Sequence, residues 1–190
     1  MCIRDRIYVD GEKIVYLKYV YYMLNKPDGY VSATEDNLYP TVIDLIKEYH
    51  PGLFPVGRLD VDTEGLLLIT NDGQLAHRLL SPRTHVPKTY YVKVKGRLGI
   101  GDINAFTKGI PLEDFTCMPA FLNIIKSGEI SECEVTIYEG KFHQVKRMFQ
   151  ACGKEVVYLK RISMGELKLD ESLKLGHYRP LTDEEINSIL

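Results

Sequence analysis

At 190 residues the chain has room for one substantial hydrophobic core, or for one domain with a small attachment. Its 45% apolar and 26% charged residues are ordinary soluble globular composition, and no apolar stretch approaches the roughly 20 residues that a membrane-crossing helix needs. A net charge of −2 argues, by itself, against a polyanionic partner, and the opening MCIRDRIYVDGEK lacks the apolar core of a secretory signal, so the cytosol is the expected compartment.

In chain order, IYVDGEKIVY alternates weakly and predicts one short strand with a turn at Asp10–Gly11. A lone strand cannot bury a core, so it must lean on the rest or belong to another unit. YYMLNKP (21–27) predicts a strand ended by Pro27, and TVIDLIKEYHPG (41–52) a short helix capped by Thr41 and stopped by Pro51–Gly52. GLLLIT reads as a buried strand closed by the turn NDG (71–73), QLAHRLLS as a helix, and KTYYVKVKG (88–96) as a strand. On that strand Tyr90, Val92 and Val94 share one face, and Tyr91, Lys93 and Lys95 the other. DINAFTKG predicts a helix closed by Gly109; CMPAFLNIIK (117–126) and SECEVTIYEG (131–140) predict strands.

KFHQVKRMFQACG (141–153) reads as a helix with Val145, Met148, Phe149 and Cys152 turned inward. EVVYLKRI is a strand, shorter strands follow, and TDEEINSIL is a helix opened by a Thr182–Glu185 capping box. Strands outnumber helices without regular βαβ alternation, which predicts an α+β fold on a mixed or antiparallel sheet. The four cysteines are far apart with no CxxC pair, so neither a zinc site nor a disulfide framework is indicated. Cys133 and Cys152 fall on apolar faces and read as small core residues.

Charge is unevenly spread. Gly73 to Gly101 holds no acid but carries Arg78, Arg83, Lys88, Lys93, Lys95 and Arg97. A second stretch carries Lys141, Lys146, Arg147, Lys154, Lys160 and Arg161 against Glu155 alone. Any one of these is most simply a solvated surface residue. Two basic segments flanking one chemical motif instead focus a positive field on one face and point to a polyanion.

That motif is GRLDVDTEGLLLIT (57–70), which places Asp60, Asp62 and Glu64 at alternate positions before an apolar run. Oxygen ligands for calcium or magnesium are one reading, but the glycine and later glutamate of an EF-hand loop are not in place. Paired carboxylates for glycoside hydrolysis are a second, though tryptophan is absent and no sugar platform is evident. The third uses one working carboxylate, Asp60, held by a turn between two apolar strands and kept ionised by a cation such as Lys146, Arg147 or Arg58. For an arbitrary turn aspartate, a capping role outweighs all three.

GRLDVDTEGLLLITNDGQLAHRLLSP closely resembles the signature of bacterial pseudouridine synthases of the RsuA/RluB type. PKTYYVKV, EGKFHQVKRMFQACGKEVVYLKRISMG and LKLGHYRPLTDEEI follow in the family's order, so the resemblance spans residues 21–190. GQLAHRLLSPRTH, HQVKRMF and YRPLT are most similar to the branch acting on 16S rRNA. The resemblance implies the pseudouridine synthase fold with a central RNA-binding cleft, and isomerisation of a specific rRNA uridine. The C1′–N1 bond breaks, uracil rotates, and C1′ bonds to C5.

By the resemblance, Asp60 is the catalytic carboxylate, as nucleophile or as the base that starts elimination. Tyr90 is the active-site tyrosine, stacking on uracil; without the motif it would read as a core tyrosine. Lys146 is the cation paired with Asp60, standing where many relatives carry arginine, which keeps the charge but loses the bidentate fork. Arg58 helps hold the loop, and with Arg78, Arg83, Lys88, His143, Gln144 and Arg147 is an expected RNA contact. The target base must be flipped out of the RNA at a cost of about a few kcal/mol. The expected partner is ribosomal RNA, free or in an assembling small subunit, with the protein a monomer and no cofactor or metal required.

Family members of this type usually begin with a small S4-like RNA-binding domain, so residues 1–20 are expected to be its remnant and 21–190 the catalytic domain. A large-subunit 23S rRNA synthase, a non-catalytic rRNA-binding module, and a metal-dependent hydrolase are the alternatives.

Overall fold

The structure, a computed structural model, describes residues 6–9, 12–15 and 18–190. Strands β1 (Arg6–Val9) and β2 (Glu12–Val15) pair antiparallel as a sheet of their own, with Ile7 opposite Ile14. Where one strand was expected there are two, and the predicted turn at Asp10–Gly11 lies outside the described residues.

The remaining strands form one nine-stranded sheet. They are β3 (Tyr21–Lys26), β4 (Phe54–Pro55), β5 (Glu64–Thr70), β6 (Lys88–Lys95), β7 (Phe121–Lys126), β8 (Ile130–Ile137), β9 (Glu155–Met164), β10 (Leu167–Lys168) and β11 (Tyr178–Pro180). The helices are α1 (Gly73–Leu80), α2 (Ile100–Lys108), α3 (Gln144–Ala151) and α4 (Asp183–Ile189). The path across the sheet is β11-β3-β5-β9-β6-β8-β7, with β4 on β5 and β10 on β9. Every pairing is antiparallel except β5 with β9. This is the α+β, mixed-sheet architecture that the sequence implies.

The unbroken apolar run of β5 has a direct cause: its two faces serve two cores. Leu67 and Ile69 join the cluster of Tyr90, Val92, Val135, Phe106 and Phe149. Leu66 and Leu68 join Met23, Leu75, Leu79 and Met164 on the opposite side. A strand buried on both faces cannot alternate with polar residues. Each of these leucines contributes about 1.5–3 kcal/mol by burial. The helices follow their apolar stripes, with Phe149 of α3 packed on Phe106 of α2 at 4.9 Å between ring centroids. Cys133 is buried and Cys152 packs against the same core, as small apolar residues do.

Three boundaries differ from expectation, each for a hydrogen-bonding reason. The helix predicted over 41–52 is a 3₁₀ turn, Val42–Leu45. Thr41 and Asp44 cap it, but the Lys47 N–H donates to the Tyr178 hydroxyl and so is withdrawn from any helical ladder. The strand predicted from Cys117 begins at Phe121, because Cys117 N–H donates to Ile110, Met118 N–H to the Glu139 carboxylate, and Ala120 N–H to Phe106. The expected turn at 71–73 runs straight into α1, where the Asp72 carboxylate caps the Gln74 and Leu75 amides. No helix among the described residues is long and apolar enough to cross a membrane.

Candidate active site

The GRLD segment leaves β4, carries Gly57 at φ +78°, and enters β5 through a turn closed by the Thr63 N–H on the Asp60 carbonyl at 3.0 Å. Leu59 is driven into the core while Ser32 clips its backbone twice: its hydroxyl donates to the Leu59 carbonyl and accepts from the Leu59 N–H, both at 3.0 Å. From the other side Lys26, with no exposed surface, donates to the carbonyls of Pro27, Val61 and Thr63 at 3.0, 3.0 and 2.9 Å. The loop that presents Asp60 is thus fixed by groups arriving from β3 and the segment after it.

The three alternate acids separate in space. Asp60 lines a cleft of about 290 Å³ together with Tyr90, Leu159, His143, Arg58 and Arg161. Asp62 lies outside with its side chain 64% exposed, and Glu64 on β5 accepts the Tyr158 hydroxyl at 2.6 Å. Among the described residues no group of three or more His, Cys, Asp or Glu side chains is arranged to hold a metal ion. The three acids thus take three different surroundings.

Lys146 reaches from α3 across to both nearer acids: its Nζ is 3.1 Å from Asp60 Oδ2 and 2.6 Å from Asp62 Oδ1. Burial pulls the Lys146 ammonium down, but the hydrogen bonds to Asp62 and Asp60 outweigh it and hold the group above the usual lysine value. For Asp62, burial works upward and is overcome by the Lys146 hydrogen bond and charge, so its carboxyl is held below the ordinary value. His143 stands on the other Asp60 oxygen, with Nε2 at 3.5 Å from Oδ1. Tyr90 is buried on β6 between β8 and β9 and shows one surface to the cleft.

The expected RNA contacts divide. Arg58, Lys88 and His143 line the cleft. Burial and the neighbouring Arg161 charge push Lys88 below its ordinary pKa, and its Nζ donates to the Val86 carbonyl. Gln144 also borders the cleft but is buried, its amide donating to Glu139 and its carbonyl oxygen accepting from Lys141 N–H, so it holds the loop together. Arg147 is engaged by Asp114 and lies over the Phe115 ring. Arg78 donates to the Leu190 carbonyl at 2.6 Å, in a separate depression beside α1, and Arg83 is exposed in the turn after α1.

Two cations escaped the sequence reading. Lys26 lay unremarked within the predicted strand YYMLNKP, and Arg161 was one of a basic run. Yet Arg161 shares the inward face of β9 with Leu159, a parity that the alternation of β9 exposes. Arg161 is 2% exposed, donates from Nε to the Leu66 carbonyl, and keeps an Nη2 with no hydrogen-bond partner among the described residues.

Comparison with known proteins gives the class. Residues 20–151 match the family described as RNA pseudouridylate synthase, and the chain belongs to the RNA pseudouridine synthases, isomerases that act on RNA. It is 50% identical over 188 residues to the Bacillus subtilis (strain 168) protein named uncharacterized RNA pseudouridine synthase YtzG, covering 96% of this chain and 78% of that one. It is 47% identical over 173 residues to ribosomal small subunit pseudouridine synthase A of Salmonella typhimurium, covering 89% and 73%. A crystal structure described as pseudouridylate synthase superposes with a TM-score of 0.84 at 42% identity, covering 97% of this chain and 80% of that one. An archaeal box H/ACA sRNP Nop10–Cbf5 complex shares the fold, with a TM-score of 0.60 at 21% identity.

Proposed function

We propose that the chain isomerises one specific uridine of 16S rRNA, with Asp60 as the reacting carboxylate, Tyr90 as the ring against the flipped uracil and Lys146 as the cation paired with Asp60. The observation that carries this reading is the placement of Asp60: on a clamped loop, in the cleft that Tyr90 also lines, and 3.1 Å from the Lys146 ammonium. A carboxylate at an anomeric carbon either attacks C1′ or removes the proton that opens elimination. In both routes the N1–C1′ bond breaks, C1′ bonds to C5, C5 loses a proton and N1 gains one, so the product is an isomer and no redox partner enters.

The choice of the small subunit rests on the named relative at 47% identity and on the GQLAHRLLSPRTH, HQVKRMF and YRPLT segments. The same proposal takes the β1–β2 strand pair, a sheet separate from the main one, as part of an S4-like RNA-binding unit and residues 21–190 as the catalytic domain. Arg58 and Lys88 meet RNA phosphates at the cleft, and the protein works as a cytoplasmic monomer. Carbodiimide mapping of pseudouridine in 16S and 23S transcripts, and in small-subunit particles, tests the target. A single modified position in 16S RNA is expected. Modification confined to 23S RNA would overturn the choice of subunit.

A further inference from the structure

Two nitrogen-bearing side chains stand on the Asp60 carboxylate, and the nearer is divided. Lys146 lies 3.1 Å from Asp60 but 2.6 Å from Asp62, whose side chain is largely in solvent. An ammonium is a point charge without a fork, so shared between two carboxylates it fixes the plane of neither. The other oxygen, Oδ1, faces His143 Nε2 at 3.5 Å.

The His143 position is built. Its backbone is left-handed, with φ +48°, a conformation strained for a non-glycine residue that persists only where the surroundings enforce it. The enforcement is visible on both sides. Gln144 N–H donates to the Lys141 carbonyl at 3.2 Å, Lys141 N–H to Gln144 Oε1 at 3.0 Å, and Arg147 N–H to the His143 carbonyl at 3.0 Å. The imidazole also lies flat on Phe142, with ring centroids 3.7 Å apart and planes at 20°. Backbone, stacked ring and helix start together aim Nε2 into the cleft.

We propose that His143 is the second prong of a clamp that orients the Asp60 carboxylate, a positioning residue whose role is distinct from the RNA contact expected of it. The inference rests on the reading of Asp60 as the reacting group. His143 and Lys146 are three residues apart at the start of α3 and present one nitrogen to each oxygen, as a single guanidinium fork would. With both oxygens held, the carboxylate keeps one plane toward the bound nucleotide; with His143 removed, the pull of Asp62 on Lys146 leaves it free to turn.

Three variants test the clamp in single-turnover reactions with enzyme in saturating excess over 16S transcript, alongside filter-binding measurements of RNA affinity. His143→Asn tolerates a left-handed backbone, but its amide reaches only to the place of the ring Nδ1. Its rate is expected to fall on the order of tenfold or more, with RNA affinity unchanged within about twofold. His143→Gln, whose amide reaches the place of Nε2, is expected to recover most of the rate. His143→Gly relieves the backbone and deletes the side chain, so it is expected to be as slow as the Asn variant and stands in should that variant not fold. Weakened RNA binding with a wild-type rate at saturation would overturn the proposal in favour of an RNA contact. Equal slowing of the Asn and Gln variants would also overturn it, because reach would not matter. A wild-type protein that forms no pseudouridine in 16S or 23S transcripts or in small-subunit particles would instead sink the reading of Asp60, and the clamp with it.

Discussion

At the scale of single residues, Lys26 shows how a charge can be structural and still govern a site. Its ammonium is enclosed under the Asp60 loop and spends its donors on three backbone carbonyls, where no apolar side chain could satisfy them. Burial lowers its pKa to about 8, while the charges of Asp28, Asp62, Asp60 and Glu64 partly compensate. Unfolded, a lysine titrates near 10.4, so between those values the unfolded chain holds the extra proton. Stability drawn from Lys26 is therefore smallest below pH 8 and rises across that window. In Lys26→Met the three carbonyls lose their donor, and we expect a loss of roughly 2–4 kcal/mol. Urea unfolding at about pH 7 and about pH 9.5 should show the gap to wild type widening at the higher pH. A gap that shrinks on raising the pH would contradict the enclosed, depressed lysine. Nothing in YYMLNKP signals this, since burying a charge depends on carbonyls that arrive from residues 61 and 63.

Among elements, legibility followed the range of the interactions involved. The core strand β5 was readable because an uninterrupted apolar run needs burial on both faces, and both cores are there. The strand face of Tyr90, Val92 and Val94 was readable from parity alone. The helix over 41–52 was not, because Tyr178, 131 positions away, takes the Lys47 amide. Nor was the close parallel approach of β5 to β9, where Gly65 pairs with Arg161. Gly65 sits at φ +103°, and a Cβ there would run into the Arg161 backbone. Gly65→Ala combines left-handed strain with that collision, and a cost of about 2 kcal/mol or more is expected in urea unfolding. Wild-type stability in this variant would refute the close approach, and with it the seating of Arg161 in the cleft wall.

For the whole molecule, a net charge of −2 conceals a cleft whose wall carries Arg58, Lys88, Lys141 and Arg161. Of the cations in the acid-free segment 73–101, Lys88 lines that wall, while Arg78 turns to Leu190. The motif order brings together residues up to 86 positions apart: Asp60 and Tyr90 line one cleft, and Lys146 reaches Asp60 from α3. His143 was legible as a residue but not as a neighbour of Asp60, since a left-handed turn before α3 is what brings it there.

The most direct test replaces one carboxylate oxygen. Asp60→Asn keeps the shape and removes the charge, and with a 16S transcript at saturation the yield of pseudouridine should fall by at least roughly a thousandfold while RNA affinity stays within a few-fold of wild type. Pseudouridine formed by that variant at a rate near wild type would contradict the account.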